Sequence, residues 1–129
     1  KLALIKKLTL MVASSFFGCQ TDTDEYYVKY SIDSYHYQLG HKLELILNDE
    51  YEERLDLLVN VREQVETTIG PVPYGFNASM LARDDGGNHT YELYAEISVS
   101  TNGGPFSLKA IDGSDDSRSY VLLEYVIDF

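Results

Sequence analysis

The stretch Tyr91-Glu92-Leu93-Tyr94-Ala95-Glu96-Ile97-Ser98-Val99 decides the fold class. Tyr91, Leu93, Ala95, Ile97 and Val99 recur at every second position, and a strand sends successive side chains to opposite faces, so one face of this segment is apolar. Working outward, Thr101-Asn102-Gly103-Gly104 follows at once. Asn-Gly tolerates positive φ at both central turn positions, which predicts a hairpin into Phe106-Ser107-Leu108-Lys109-Ala110. Pro105 cannot donate a ladder hydrogen bond and belongs at a strand start or edge. The same alternation appears in Tyr26, Val28, Tyr30 and Ile32, in Leu43, Leu45 and Leu47, in Leu55, Leu57, Val59 and Val61, and in Val121, Leu123, Tyr125, Ile127 and Phe129. Loops are expected at Asp84-Asp85-Gly86-Gly87-Asn88 and at Asp112-Gly113-Ser114-Asp115-Asp116-Ser117.

Residues 51–66 read two ways. Tyr51, Leu55, Leu58 and Val65 also fit an amphipathic helix, whereas the β-formers Thr67-Thr68-Ile69 and the regular spacing favour strands. In Gly70-Pro71-Val72-Pro73-Tyr74-Gly75-Phe76 the prolines stiffen the chain and Gly75 allows a conformation closed to other residues, the makings of a corner between sheets. Seven or eight short strands separated by turn signals predict an all-β, antiparallel sandwich over residues 26–129. The last strand, Ser119 to Phe129, is apolar on much of both faces, which suits either a central position or donation to a neighbour. Tryptophan and a cysteine pair are absent, so this is not an antibody-type domain.

The 129 residues carry 21 acidic and 10 basic side chains, a formal net charge of −11, which speaks against nucleic acid as a partner because such affinity rests on clustered Lys and Arg. Residues 1–18 hold three of the bases and none of the acids, so the remainder has seven bases against 21 acids, a net charge of −14. Such a surface repels anionic headgroups. A single cysteine forbids an internal disulfide.

Lys1, Lys6 and Lys7 precede the apolar run Leu8 to Phe17, which is short of the roughly 20 residues of a spanning helix and reads as a secretory signal over 1–18. Ser15-Phe16-Phe17-Gly18-Cys19 resembles a bacterial lipobox, departing from it at Phe16 and Phe17, where Leu and a small residue are usual. That resemblance implies acylation of Cys19 and cleavage just before it, leaving the protein on a membrane through its acyl chains. Gln20-Thr21-Asp22-Thr23-Asp24-Glu25 completes an acidic tether over 19–25, and Asp22, Asp24 and Glu25 resemble the surface-export signal of Bacteroides-type lipoproteins.

Tyr26-Tyr27-Val28-Lys29-Tyr30, the Gly70–Ala78 segment and Ser98–Lys109, taken with Cys19, span most of the chain. In this order and spacing they resemble small immunoglobulin-like lipoproteins of Bacteroides-type Gram-negative bacteria. The resemblance implies a lipid-anchored, immunoglobulin-like β-sandwich in the outer membrane, exposed at the cell surface, and it brings no catalytic residue and no cofactor.

From the residues themselves, chemistry is sparse. No metalloprotease, nucleophile-elbow or phosphate-loop motif occurs, so a non-enzymatic module is expected; a glycan hydrolase would need two carboxylates facing each other across a cleft. His36, His41 and His89 stand beside turn residues and are read as solvated loop histidines. Asp112, Asp115 and Asp116, and likewise Asp84, Asp85 and Asn88, offer hard oxygen donors that suit Ca²⁺, although Asp and Asn are also ordinary turn residues. Of eleven tyrosines, Tyr35, Tyr37, Tyr51 and Tyr74 fall in expected loops or at strand ends, where they would stack on a protein or glycan ligand, while Tyr30, Tyr91 and Tyr125 are read as strand packing. Two functional classes follow: a surface binding module, and a structural subunit that assembles by β-strand addition.

Overall fold

Side-chain alternation is converted into two apolar faces that close on each other. The computed structural model describes residues 24–86 and 89–128, in which the chain forms eight strands and no helix: β1 (Tyr26–Tyr35), β2 (Lys42–Asn48), β3 (Arg54–Asn60), β4 (Val65–Val72), β5 (Asn77–Asp84), β6 (Tyr91–Thr101), β7 (Phe106–Arg118) and β8 (Tyr120–Val126). One sheet has the order β4-β1-β6-β7 and the other β3-β2-β5-β8, with every pairing antiparallel. The protein is therefore an antiparallel β-sandwich of four strands on four. Within residues 51–66 the chain is strand over Arg54–Asn60 and again from Val65, with turns between and no helix, because the inward Leu55, Leu57 and Val59 of β3 pack on the core while Arg54, Asp56 and Asn60 face water.

The core is built from the inward rows: Tyr26, Val28, Tyr30 and Ile32 of β1 and Leu93, Ala95, Ile97 and Val99 of β6 lie against Leu43, Leu45 and Leu47 of β2 and Ala78, Met80 and Ala82 of β5. Each large apolar side chain so buried contributes roughly 1.5–3 kcal/mol relative to exposure. Tyr30 adds a polar tie between the sheets: its hydroxyl donates to the Asn48 carbonyl at 2.9 Å and accepts the Ser79 amide at 3.3 Å.

Only β2–β3 and β6–β7 are hairpins within one sheet; the other connections cross between sheets. The β6–β7 turn is the expected Asn-Gly, with φ of +54° at Asn102 and +78° at Gly103. The Pro71–Phe76 segment is the expected corner, delivering the chain from β4 to β5 in the opposite sheet.

Two expectations are corrected. Residues 112–117 are not a loop but part of β7, which runs unbroken to Arg118. The turn-forming residues are absorbed as a bulge: Leu93 pairs with Ser114 and Tyr91 with Arg118, so that Asp115, Asp116 and Ser117 stand against the single Glu92. Gly113 lets the ring of Tyr94 lie against the strand, since a β carbon there would come within 2.5 Å of it. As an edge strand with both faces largely wet, β7 has no apolar row to betray it in the sequence. Likewise β8 is not central: it ends its sheet, with Tyr120, Leu122 and Val126 exposed and Val121 buried.

The connections sort to two ends. At one lie Asp24, Glu25 and the turns 49–53, 73–76 and 102–105; at the other lie 36–41, 61–64, 85–86, 89–90 and Ser119. Ten residues of β1 at about 3.3 Å each separate the two by roughly 30 Å. The chain enters at the first end, held there by Asn102, whose side-chain oxygen accepts the Glu25 amide at 2.9 Å, whose side-chain amide donates to Asp24 at 3.1 Å, and whose backbone amide donates to the Glu25 carbonyl at 2.6 Å.

Gly70 gives a direct test of this packing. Its φ is +137°, and a β carbon there would sit 2.7 Å from the Tyr27 ring and 2.9 Å from the Tyr26 carbonyl. Gly70→Ala is expected to lose about 1–3 kcal/mol of stability, read from the midpoint of chemical denaturation.

Candidate functional site

The end remote from the chain's point of arrival is where the inward rows run out. β5 points Ala78, Met80, Ala82 and then Asp84 toward the core, so the last member of an apolar series is a carboxylate, only 5% exposed. Tyr91 opens the inward row of β6 and is fully buried. Its hydroxyl donates to Asp84 Oδ1, while the amide and the Nδ1 of His89 lie 3.4 and 3.2 Å from Oδ2. A buried carboxylate requires such partners, because transfer of an unsatisfied charge from water is costly. Burial first, and then the bond to Asp84, push the Tyr91 hydroxyl far above its ordinary range, so it remains a donor at any physiological pH.

His36, His41 and His89 stand in connecting segments as read, His89 exposed and the other two partly so, but their rings gather at this end, His41 and His89 beside the carboxylate and His36 against them. The His41 ring lies 4.2 Å from both His36 and His89 between centroids, and His36 lies 5.3 Å from Tyr91. One ligand-capable atom each from His41, Asp84 and His89 fall within 4.8 Å of one another, the only such trio of His, Cys, Asp or Glu among the described residues. Gln38 orients two of the rings: its backbone amide donates to His36 Nδ1 at 3.1 Å, and its side-chain oxygen lies 3.2 Å from His41 Nε2. Partial desolvation, followed by the proximity of His36 and His89, lowers the pKa of His41, with Asp84 opposing.

Arg62, in the β3–β4 connection, fastens the loop that carries these groups. Its backbone amide donates to Ser34, and its guanidinium donates to the carbonyls of His36 and Tyr37 at 3.0 and 2.6 Å and stacks 4.9 Å over the Tyr35 ring. Tyr35 and Tyr37 are therefore held at the histidine end, exposed, where with His36, Thr90, Glu92 and Ser117 they line a cleft of about 240 Å³. Tyr37 stacks on His36 with centroids 4.7 Å apart.

Other candidates are not brought together with these. Tyr51, in the β2–β3 turn, and Tyr74, in the corner, lie at the opposite end; the Tyr74 hydroxyl donates to the Asp128 carbonyl at 3.0 Å. Asp112, Asp115 and Asp116 follow one another along β7 and its bulge, with Asp112 paired to Arg118 at 3.1 Å and the other two exposed. Asp24 and Glu25, expected in a solvated tether, are already bound to the fold through Asn102. Cys19, Asp22 and Asn88 lie outside the described residues.

Reading Asp84 as a turn residue hid the site. The available signal was the period of two itself: continuing Ala78, Met80, Ala82 by one more step puts Asp84 on the buried face. Tyr91→Phe, which deprives that carboxylate of a donor, is expected to lose about 1–3 kcal/mol in denaturant unfolding. His41 also makes stability depend on pH. The unfolded chain, with an ordinary histidine pKa near 6.5, takes up a proton that folded His41 resists, so the histidine contribution falls as pH drops below that value and levels off below the lowered folded pKa. His41→Gln is expected to shrink the difference between denaturation midpoints at pH 7.5 and 5.5. No protein-family model matches this chain, and no curated protein matches it in sequence.

Proposed function

We propose that the chain is a cell-envelope lipoprotein, anchored in the outer membrane through acyl groups on Cys19 and acting at the cell surface as a non-enzymatic binding module. One observation carries this reading: the polarity of the sandwich. The chain arrives at the Asn102 end, and the exposed Tyr35 and Tyr37, fastened by Arg62, stand roughly 30 Å away at the other. A tether behind Cys19 leaves that aromatic cleft facing away from the bilayer, while the net charge of −14 on residues 19–129 keeps the body off anionic headgroups. Tyr and His surfaces of this kind suit a protein or glycan partner.

A second reading has its own support. β8 ends its sheet with Tyr120, Leu122 and Val126 exposed, an edge open to strand addition by another subunit. Concentration-dependent oligomers on sizing would favour it.

Anchorage is tested by mass spectrometry of the protein taken from its envelope, together with protease added to intact cells. The wild type is expected to begin at an acylated Cys19 and to be digested on intact cells; Cys19→Ala is expected to lose the acyl groups and leave the membrane fraction. Changing Asp22, Asp24 and Glu25 to Ala is expected to protect the protein from added protease. An unmodified Cys19 within an uncleaved chain overturns the anchor, and complete protection of the wild type overturns the outward placement.

A further inference from the structure

We propose that His41, Asp84 and His89 bind one divalent first-row transition ion, zinc being the best match. Two imidazoles and a carboxylate are the donor set that such ions take, and with three protein ligands a fourth position stays open to water or a ligand group. The sandwich supplies what a built site requires. Asp84 is fixed by burial at the end of a core row and oriented by Tyr91, whose hydroxyl donates to one oxygen and leaves the other toward the histidines. His41 immediately precedes β2, its ring held by Gln38, and His89 lies two residues before β6. Such outer partners fix the orientation of ligating imidazoles and carboxylates.

The distances are those of a site that tightens on its ion. The three donors lie within 4.8 Å of one another, whereas donors around tetrahedral zinc at about 2.0–2.1 Å are separated by roughly 3.3 Å. His89 belongs to an exposed connection and His41 to a partly exposed strand entrance, so the adjustment falls on residues with room to make it. His36 is excluded from the ligand set: its Nδ1 already accepts the Gln38 amide, and its ring instead packs on His41 and Tyr37. Asp112, Asp115 and Asp116, by contrast, are spread along an edge strand.

The inference uses residues of the sandwich and stands whether or not Cys19 carries lipid. The test is equilibrium dialysis of the full chain, untagged and held in mild detergent, against Zn²⁺ alone, with X-ray absorption on the loaded protein. One equivalent is expected, with two imidazoles and oxygen donors in the first shell. Affinity is expected to fall about tenfold or more in His41→Ala, in His89→Ala and in Asp84→Asn. Millimolar Ca²⁺ should leave zinc occupancy unchanged, since a hard cation prefers an all-oxygen shell. His41 and His89 are not core residues, so those two variants, checked as folded by circular dichroism, carry the test even if Asp84→Asn does not fold. No uptake by the wild type, fewer than two imidazoles in the first shell, displacement by Ca²⁺, or undiminished binding in the His41→Ala/His89→Ala double variant overturns the proposal.

Discussion

Everything in this protein depends on one row-against-row contact, in which the inward side chains of β1 and β6 close on those of β2 and β5. Because a strand alternates faces strictly, a shift of one residue in any of these four would turn leucines outward and acids inward. The ten-residue register of β1 on β6, from Tyr26 opposite Thr101 to Tyr35 opposite Glu92, is therefore fixed by burial as much as by hydrogen bonds. That same register determines which residues are left at each end.

At the far end the apolar rows are succeeded by polar groups in the same positions. Asp84 and Tyr91 occupy inward slots, and their bond replaces the apolar contact those slots would otherwise hold. The arrangement ties the geometry of the candidate site to the most constrained part of the fold: neither group moves without disturbing the ends of β5 and β6. The histidines, in contrast, come from connecting segments: His36 and His41 are held by hydrogen bonds with Gln38 and, through the His36 carbonyl, with Arg62, while His89 bonds to Asp84. A rigid carboxylate surrounded by adjustable imidazoles is a division of labour suited to capturing a ligand.

The two sheets also differ in how they end. β7 interrupts its outer edge with the bulge at residues 115–117 and the Asp112–Arg118 pair, devices that spoil regular pairing with another chain. β8 carries exposed Tyr120, Leu122 and Val126 and is the less protected edge. Lys29 lies 4.7 Å over the ring of Phe106, covering part of the apolar surface where β7 begins.

By itself the sequence determined the class of fold, the path of most strands, the Asn102-Gly103 turn and the corner after Gly70, because each of these depends on local periodicity or on residues with special backbone freedom. β7 escaped it beyond Ala110, since an edge strand wet on both faces leaves no alternating record and its acids and glycine resemble a loop. The meeting of His36, His41, Asp84, His89 and Tyr91 was decided only by tertiary structure. Those residues are spread over 56 positions, and what brings them together is the crossing of β1–β2 and β5–β6 between sheets at the same end, a consequence of strand order that no local pattern encodes.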